Sequence, residues 1–182
     1  YSGTHSLLLR EEQGEERLYA AHLREQRVVK LRLDGTLLLE LRAPAESGAY
    51  ADPAAFNPTA VAVAPDGRLF VADGYGTSLI HIFDAQGRWL SAFGGAGDGD
   101  GRCNTPHGLL LDTRCEPPRL LVADRENRRL LHFDLDGGFL GVHAAGLRRP
   151  CAMALREGQL GDGLLAVAEL EGRVAVLERD GT

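Results

Sequence analysis

Four residues of this 182-residue chain combine reactive side chains with suggestive positions: His5, Tyr75, His107 and Arg125. Two neutral imidazoles brought together suit a divalent metal such as zinc, which accepts nitrogen ligands at about 2.0–2.1 Å. A phenol with a pKa of about 10 is a poor base in water, but a nearby metal or guanidinium stabilises the phenolate and brings it into useful range. A guanidinium clamps a carboxylate through its two-pronged fork. Each residue also has a plainer reading. The histidines could hydrogen-bond inside a polar channel, Tyr75 could pack as an amphipathic surface residue, and Arg125 could pair with Glu126 or a neighbouring aspartate. His5 and His107 lie 102 residues apart and Tyr75 and Arg125 lie 50 apart, so joint chemistry requires a fold that brings distant segments together.

Internal repetition supplies such a fold. Thr4–Leu8, Pro58–Ala62, Pro106–Leu110 and Pro150–Ala154 each open a short apolar run. A second run follows, ending in a polar residue: His22, Asp73, Asp124 and Glu169. A third run comes next (Val28–Leu31, Leu79–Phe83, Leu130–Phe133, Val174–Leu177), then a turn with Asp and Gly, residues that tolerate left-handed backbone or bond their own backbone. A fourth run appears in the first three repeats at Leu37–Leu41, Trp89–Phe93 and Phe139–Val142. The anchors at residues 5, 59, 107 and 151 are spaced by 54, 48 and 44, one four-stranded blade per repeat. No stretch holds a helical period, and Val-, Leu-, Ile- and Phe-rich runs broken by Gly, Pro, Asp and Asn indicate strands. The expectation is an all-β propeller of about four blades, near residues 1–50, 51–100, 101–145 and 146–182, the last lacking its outer strand. Because propellers close with about 4–8 blades, the sequence reads as one propeller fragment, an arc whose remaining blades belong to the same polypeptide beyond Tyr1 and Thr182.

Inner strands line a propeller's axis, so residues of equal phase converge there, His5 and His107 included. The carboxylates Asp73, Asp124 and Glu169 recur at one phase, which points to capping of backbone amides rather than to chemistry. His81 and His132, on third strands, read as half-buried packing residues. The glycine-rich segment Gly94 to Gly101 lacks the Lys-Ser/Thr of a phosphate loop and the Glu of an EF-hand, and reads as a flexible linker between blades.

The net charge of −6 argues against a nucleic-acid partner, although Arg125, Arg128, Arg129, Arg148 and Arg149 could form a local positive patch. No run of 18 apolar residues is present, so no membrane-spanning helix is expected. Residues 1–10 show no signal peptide. Cys103, Cys115 and Cys151 leave one thiol unpaired whatever happens and form no metal knuckle.

The strings Val71-Ala72-Asp73-Gly74-Tyr75-Gly76-Thr77-Ser78 and Val122-Ala123-Asp124-Arg125-Glu126-Asn127-Arg128-Arg129-Leu130 resemble NHL repeats. More narrowly, they resemble the lyase domain of peptidylglycine α-amidating enzymes, the peptidyl-α-hydroxyglycine α-amidating lyase. The resemblance runs from Gly3 to Gly172 and is strongest from Asn57 to Phe133. It implies a six-bladed propeller with an axial zinc held by three histidines from alternating blades. His5 (in Thr-His-Ser) and His107 (in Pro-His-Gly) match two of them, the intervening blade carries Thr59, and a third ligand is expected past Thr182. The resemblance places the catalytic tyrosine on Tyr75 and an active-site arginine on Arg125, and implies a structural calcium bound partly through the main-chain carbonyl of Leu7. It further implies a peptide or small-molecule substrate ending in α-hydroxyglycine, cleaved to an amide and glyoxylate, and an extracellular or periplasmic setting. A non-catalytic NHL propeller binding protein, peptide or carbohydrate is the alternative. Three positions depart from the family pattern: Gly76 replaces a cysteine, removing a disulfide; His22 replaces its blade's acidic residue; and Cys151 occupies a histidine-phase position.

Overall fold

The computed structural model describes residues 3–156 and 163–182, and within them every regular element longer than a single 3-10 turn is a strand. Fifteen strands form four antiparallel meanders. The first sheet is β1 (Thr4–Glu12), β2 (Glu15–His22), β3 (Arg27–Arg32) and β4 (Leu37–Leu41). The second is β5 (Ala60–Val63), β6 (Leu69–Ala72), β7 (Leu79–Phe83) and β8 (Trp89–Gly94). The third is β9 (Pro106–Asp112), β10 (Arg119–Asp124), β11 (Arg129–Phe133) and β12 (Phe139–Ala145). The fourth has three strands, β13 (Pro150–Leu155), β14 (Leu165–Glu169) and β15 (Arg173–Leu177). Three complete blades and a fourth without an outer strand match the sequence expectation.

Two compact units, Tyr1–Ala92 and Phe93–Thr182, hold two blades each. In the first, Tyr19, Val28 and Leu41 pack against Phe56, Val61, Val71 and Phe83. In the second, Leu121, Leu130 and Leu147 pack against Leu165, Val167 and Leu177. A blade alone cannot bury both faces, so each unit's core is an inter-blade core. The turn before the outer strand recurs with a left-handed glycine at Gly35, Gly87 and Gly137 (φ 89°, 84° and 91°), where a β-carbon would be disfavoured.

The recurring acids do what their recurrence suggested. Asp73 accepts from the Asn57 amide at 2.7 Å, Asp124 from Asn104 at 2.6 Å and Glu169 from Arg148 at 2.6 Å. Each carboxylate is buried at the end of its second strand and fastens the segment leading into its own blade's inner strand. In the first blade His22 stands at this position, fully buried, its Nδ1 accepting from the Glu25 amide at 3.2 Å.

Three expectations need correction. His81 and His132 are buried rather than half-buried, because each has a polar partner: His81 meets the Tyr50 hydroxyl at 2.7 Å, and His132 meets Asp112 at 2.9 Å. The segment Gly94 to Gly101 is pinned, not a free linker. Asn127 donates to the Gly97 carbonyl, Arg129 to that of Gly99, and Cys103 to that of Gly95. The arginine patch is largely neutralised, since Arg125 and Arg149 bond Glu126, Arg128 bonds Glu171 and Arg129 bonds Asp124.

Candidate functional site

The inner strands carry an irregularity that the sequence does not announce. In β1, Thr4 pairs with His22 and Ser6 with Ala21, which leaves His5 as an extra residue. In β9, Pro106 pairs with Asp124 and Gly108 with Ala123, which leaves His107 extra. In β13, Pro150 pairs with Glu169 and Ala152 with Ala168, which leaves Cys151 extra. A one-residue bulge bends a strand and re-aims the side chain it carries, and bulges concentrate beside active sites. Three inner strands thus bulge at the anchor position; in the second blade the corresponding Thr59 is buried and bonds the Ala72 carbonyl through its amide and hydroxyl.

Both histidines are oriented alike. His5 Nδ1 lies 2.8 Å from the Thr59 carbonyl, and His107 Nδ1 lies 3.2 Å from the Cys151 carbonyl. A carbonyl only accepts, so Nδ1 carries the proton in each ring, and in the neutral imidazole Nε2 then carries the lone pair. Each acceptor is the anchor residue of the following blade. This is the arrangement in which histidines ligate metals, with the second nitrogen donating to a carbonyl that fixes tautomer and ring orientation. The two residues therefore fit the chemistry of zinc ligands one at a time. Among the described residues, no three His, Cys, Asp or Glu side chains cluster to hold a metal by themselves.

In the first unit the Tyr75 and His5 rings meet edge to face, centroids 5.3 Å apart at 89°. Tyr75 is 41% exposed, and its amide donates to the Asn57 carbonyl at 3.3 Å. Gly76, next to it, has no room for a side chain, because a β-carbon would collide with the Asp73 carboxylate and the Ala55 carbonyl. The absent cysteine is thus part of how the loop packs. Leu7, expected to lend its carbonyl to calcium, sits within β1 opposite Ala20, its side chain 65% exposed.

In the second unit Arg125 Nε donates to Glu126 at 2.8 Å, the partner its plainer reading names. Arg149 bonds the same carboxylate oxygen at 2.5 Å. The hydrogen bond from Arg149, helped by Arg125 and opposed by burial, holds the Glu126 carboxyl below the usual range. All three cysteines are free. Burial, with Asp124 nearby, pushes the Cys103 thiol up to about 12, and burial also raises that of Cys151, so neither is a ready nucleophile. Sequence reasoning did not bring Glu126 and Arg149 together, because they lie 23 positions apart with β11 and β12 between them.

Comparison with known proteins agrees with this architecture. The family described as 6-bladed beta-propeller matches residues 58–161. The peptidylglycine alpha-amidating monooxygenase of Rattus norvegicus is 39% identical over 85 residues, 44% of this chain and 8% of that protein. A probable peptidyl-alpha-hydroxyglycine alpha-amidating lyase of Caenorhabditis elegans is 42% identical over 80 residues, 42% of this chain and 22% of that protein. The human NHL repeat-containing protein 3 is 35% identical over 109 residues, 57% of this chain and 30% of that protein. The chain spans less than a third of the length of each of these relatives.

Proposed function

Because the chain belongs to the 6-bladed β-propeller family, we propose that it contributes the active-site arc of a lyase-like metalloenzyme that cleaves the C–N bond of a peptidyl-α-hydroxyglycine-type substrate. The observation that carries this reading is the matched pair of bulged histidines, each donating Nδ1–H to the next blade's anchor carbonyl. Similarity to an amidating lyase supports it. His5 and His107 would hold zinc, which when bound supplies Lewis acidity at the substrate hydroxyl. Tyr75, edge-on to His5, takes the hydroxyl proton. The carbon–oxygen bond becomes a carbonyl, the C–N bond breaks, and its electron pair and a proton end on nitrogen. The products are a peptide amide and glyoxylate. Arg125 holds the carboxylate throughout.

In the full-length protein loaded with zinc, glyoxylate release from an N-acyl-α-hydroxyglycine is expected, and Tyr75→Phe should lower it by about 10²-fold, as loss of a general base does. Undiminished release in that variant would remove Tyr75 as the base. No release by the wild type with zinc bound would favour the second reading, a binding propeller of the NHL type. That reading draws on the relative covering the larger share of this chain, the NHL repeat-containing protein.

A further inference from the structure

The first unit carries a groove at the end of its blades away from His5 and Tyr75. His5 stands at the start of β1 and Glu12 at its end, and seven residues at about 3.3 Å each separate them by roughly 23 Å. Because both blades are meanders, the turns after β1, β3, β5 and β7 all lie at the Glu12 end, whereas Tyr75 follows β6. A cavity of about 400 Å³ opens between these turns, with Arg10, Glu12, Tyr19, Lys30, Pro65 and Asp66 in its walls. An adjoining cavity of about 520 Å³ shares Glu12, Gln13, Lys30 and Ala85 with it and adds Leu38 and Leu39. Small-molecule sites have volumes of about 300–1,000 Å³.

The charges in the groove are matched except at one residue. Side chains alternate along a strand, so Arg10 and Glu12 point to the same side of β1 as Leu8, toward the core shared with the second blade. Glu12 is engaged twice, accepting from the Tyr19 hydroxyl and from Lys30 Nζ, the latter at 2.5 Å. Burial would raise its carboxyl, but the bonds from Lys30 and Tyr19 hold it below the usual range, so it is ionised at neutral pH. Tyr19 is buried and fixes this arrangement from beneath. Asp66 is matched by Arg68 Nε at 2.7 Å. Arg10 differs. It is half-buried, its Nη1 donates to the neutral Val63 carbonyl, and among the described residues it pairs with no carboxylate. A guanidinium has five N–H donors, so Arg10 brings unused donors as well as an unmatched charge to the cavity wall.

We propose that this groove binds a small monocarboxylate with an apolar body, its carboxylate on Arg10 and its body along Ala85, Leu38 and Leu39. One unmatched cation calls for one negative charge, and the guanidinium fork fits a carboxylate. A dianion such as phosphate would also meet the Glu12 and Asp66 carboxylates, and like charges oppose it. A cation would meet Arg10 and Lys30. Leu38 is 41% exposed, so covering it adds hydrophobic stabilisation to the complex. The site involves neither the axial histidines nor the lyase reading.

The test uses the full-length protein, hexanoate as the probe and amide NMR shifts as the readout. Hexanoate should move the signals of Gln13, Gly14 and Gly67 and saturate with a dissociation constant of about 1 mM, within the bound for so few atoms. Arg10→Gln should weaken binding by about tenfold or more, as expected for loss of a charge-assisted hydrogen bond, and Arg10→Lys should recover part of it. Leu38→Glu, at an exposed position, should weaken binding severalfold by repulsion, and it decides should Arg10→Gln not fold. Hexanamide should bind at least about tenfold more weakly than hexanoate, because it lacks the charge that Arg10 requires. Arg125→Gln should leave the titration unchanged. The site would be overturned by the absence of a saturable shift, by equal binding of hexanamide, or by phosphate binding as tightly as hexanoate. An affinity indifferent to Arg10→Gln or to Leu38→Glu, or shifts confined to residues around Arg125, would overturn it as well.

Discussion

His81 shows how one buried side chain sets a pH dependence. The Trp89 indole N–H donates to His81 Nδ1 at 3.3 Å, so the ring proton sits on Nε2 and donates to the Tyr50 oxygen at 2.7 Å. The Tyr50 hydroxyl in turn donates to Asp73 at 2.8 Å. A second ring proton would displace the indole, and burial pushes the imidazole down to about 4 despite the nearby Asp73 carboxylate. In the unfolded chain the same ring protonates at about 6.5. Between those values the unfolded state binds more protons, so stability falls as the pH is lowered from about 6.5 to about 4. The shift corresponds to roughly 2 to 3 kcal/mol lost by pH 4.5. His143, lowered to about 4 by burial and by the adjacent His132, adds a loss of the same sign. Asp112 acts lower on the scale: burial would raise its carboxyl, but hydrogen bonds from Arg114 and His132 outweigh that, so its contribution is lost only below about pH 4. Urea unfolding at pH 7 and pH 4.5 checks this. His81→Gln should be less stable at pH 7 yet lose distinctly less on acidification, and a wild-type-like loss would clear His81 of the effect. The sequence revealed His81 as a third-strand residue but not as a fully buried one, because its partner Tyr50 lies outside the repeated runs and its partner Trp89 begins a different strand.

At the scale of strands, the geometry of the inner edge depends on backbone more than on side-chain type. The apolar runs and turn signals made the four meanders legible, since each strand's pattern reports its own burial. The bulges at His5, His107 and Cys151 were not legible, because one extra residue at a strand's start leaves the apolar pattern downstream unchanged. The acceptors of the two histidines were hidden for another reason: each lies a blade further on, 54 and 44 residues away. Gly108 is where this geometry becomes testable. A β-carbon there would collide with the Cys151 carbonyl, the acceptor of the His107 Nδ1–H. Gly108→Ala must push β13 away from β9 or twist β9, and overpacking of this kind costs about 1–3 kcal/mol. Nitrogen-15 shifts of the His107 ring should at the same time show loss of the single Nδ1–H tautomer. Gly99→Ala is the control, because open space surrounds that position and its stability should stay within about 0.5 kcal/mol. Equal, small effects of the two substitutions would mean that the close approach of β9 and β13 does not fix the His107 ring.

For the molecule as a whole, repeat spacing established the architecture, and the reason is physical: each blade needs a neighbour to bury its face, so the sequence must repeat wherever the fold does. What spacing does not establish is whether residues of equal phase act together. His5 belongs to one compact unit and His107 to the other, and each ring is separately prepared, by its carbonyl partner, to present an Nε2 lone pair. The lyase reading requires that they share one ion. Ligands of one site fail together, whereas ligands of two sites fail independently. In the full-length protein, zinc at a hundredfold excess over its dissociation constant stabilises the folded state by about 2.7 kcal/mol per site. With a shared site, metal analysis should give one zinc per chain on the wild type. His5→Ala and His107→Ala should each abolish most of the zinc-induced rise in melting temperature, and the double variant should lose no more than either single one. Two zinc ions per chain, or single variants that each retain half the stabilisation and add in the double variant, would mean that the histidines serve separate sites. The axial metal centre, and the lyase proposal with it, would then be withdrawn in favour of the binding propeller.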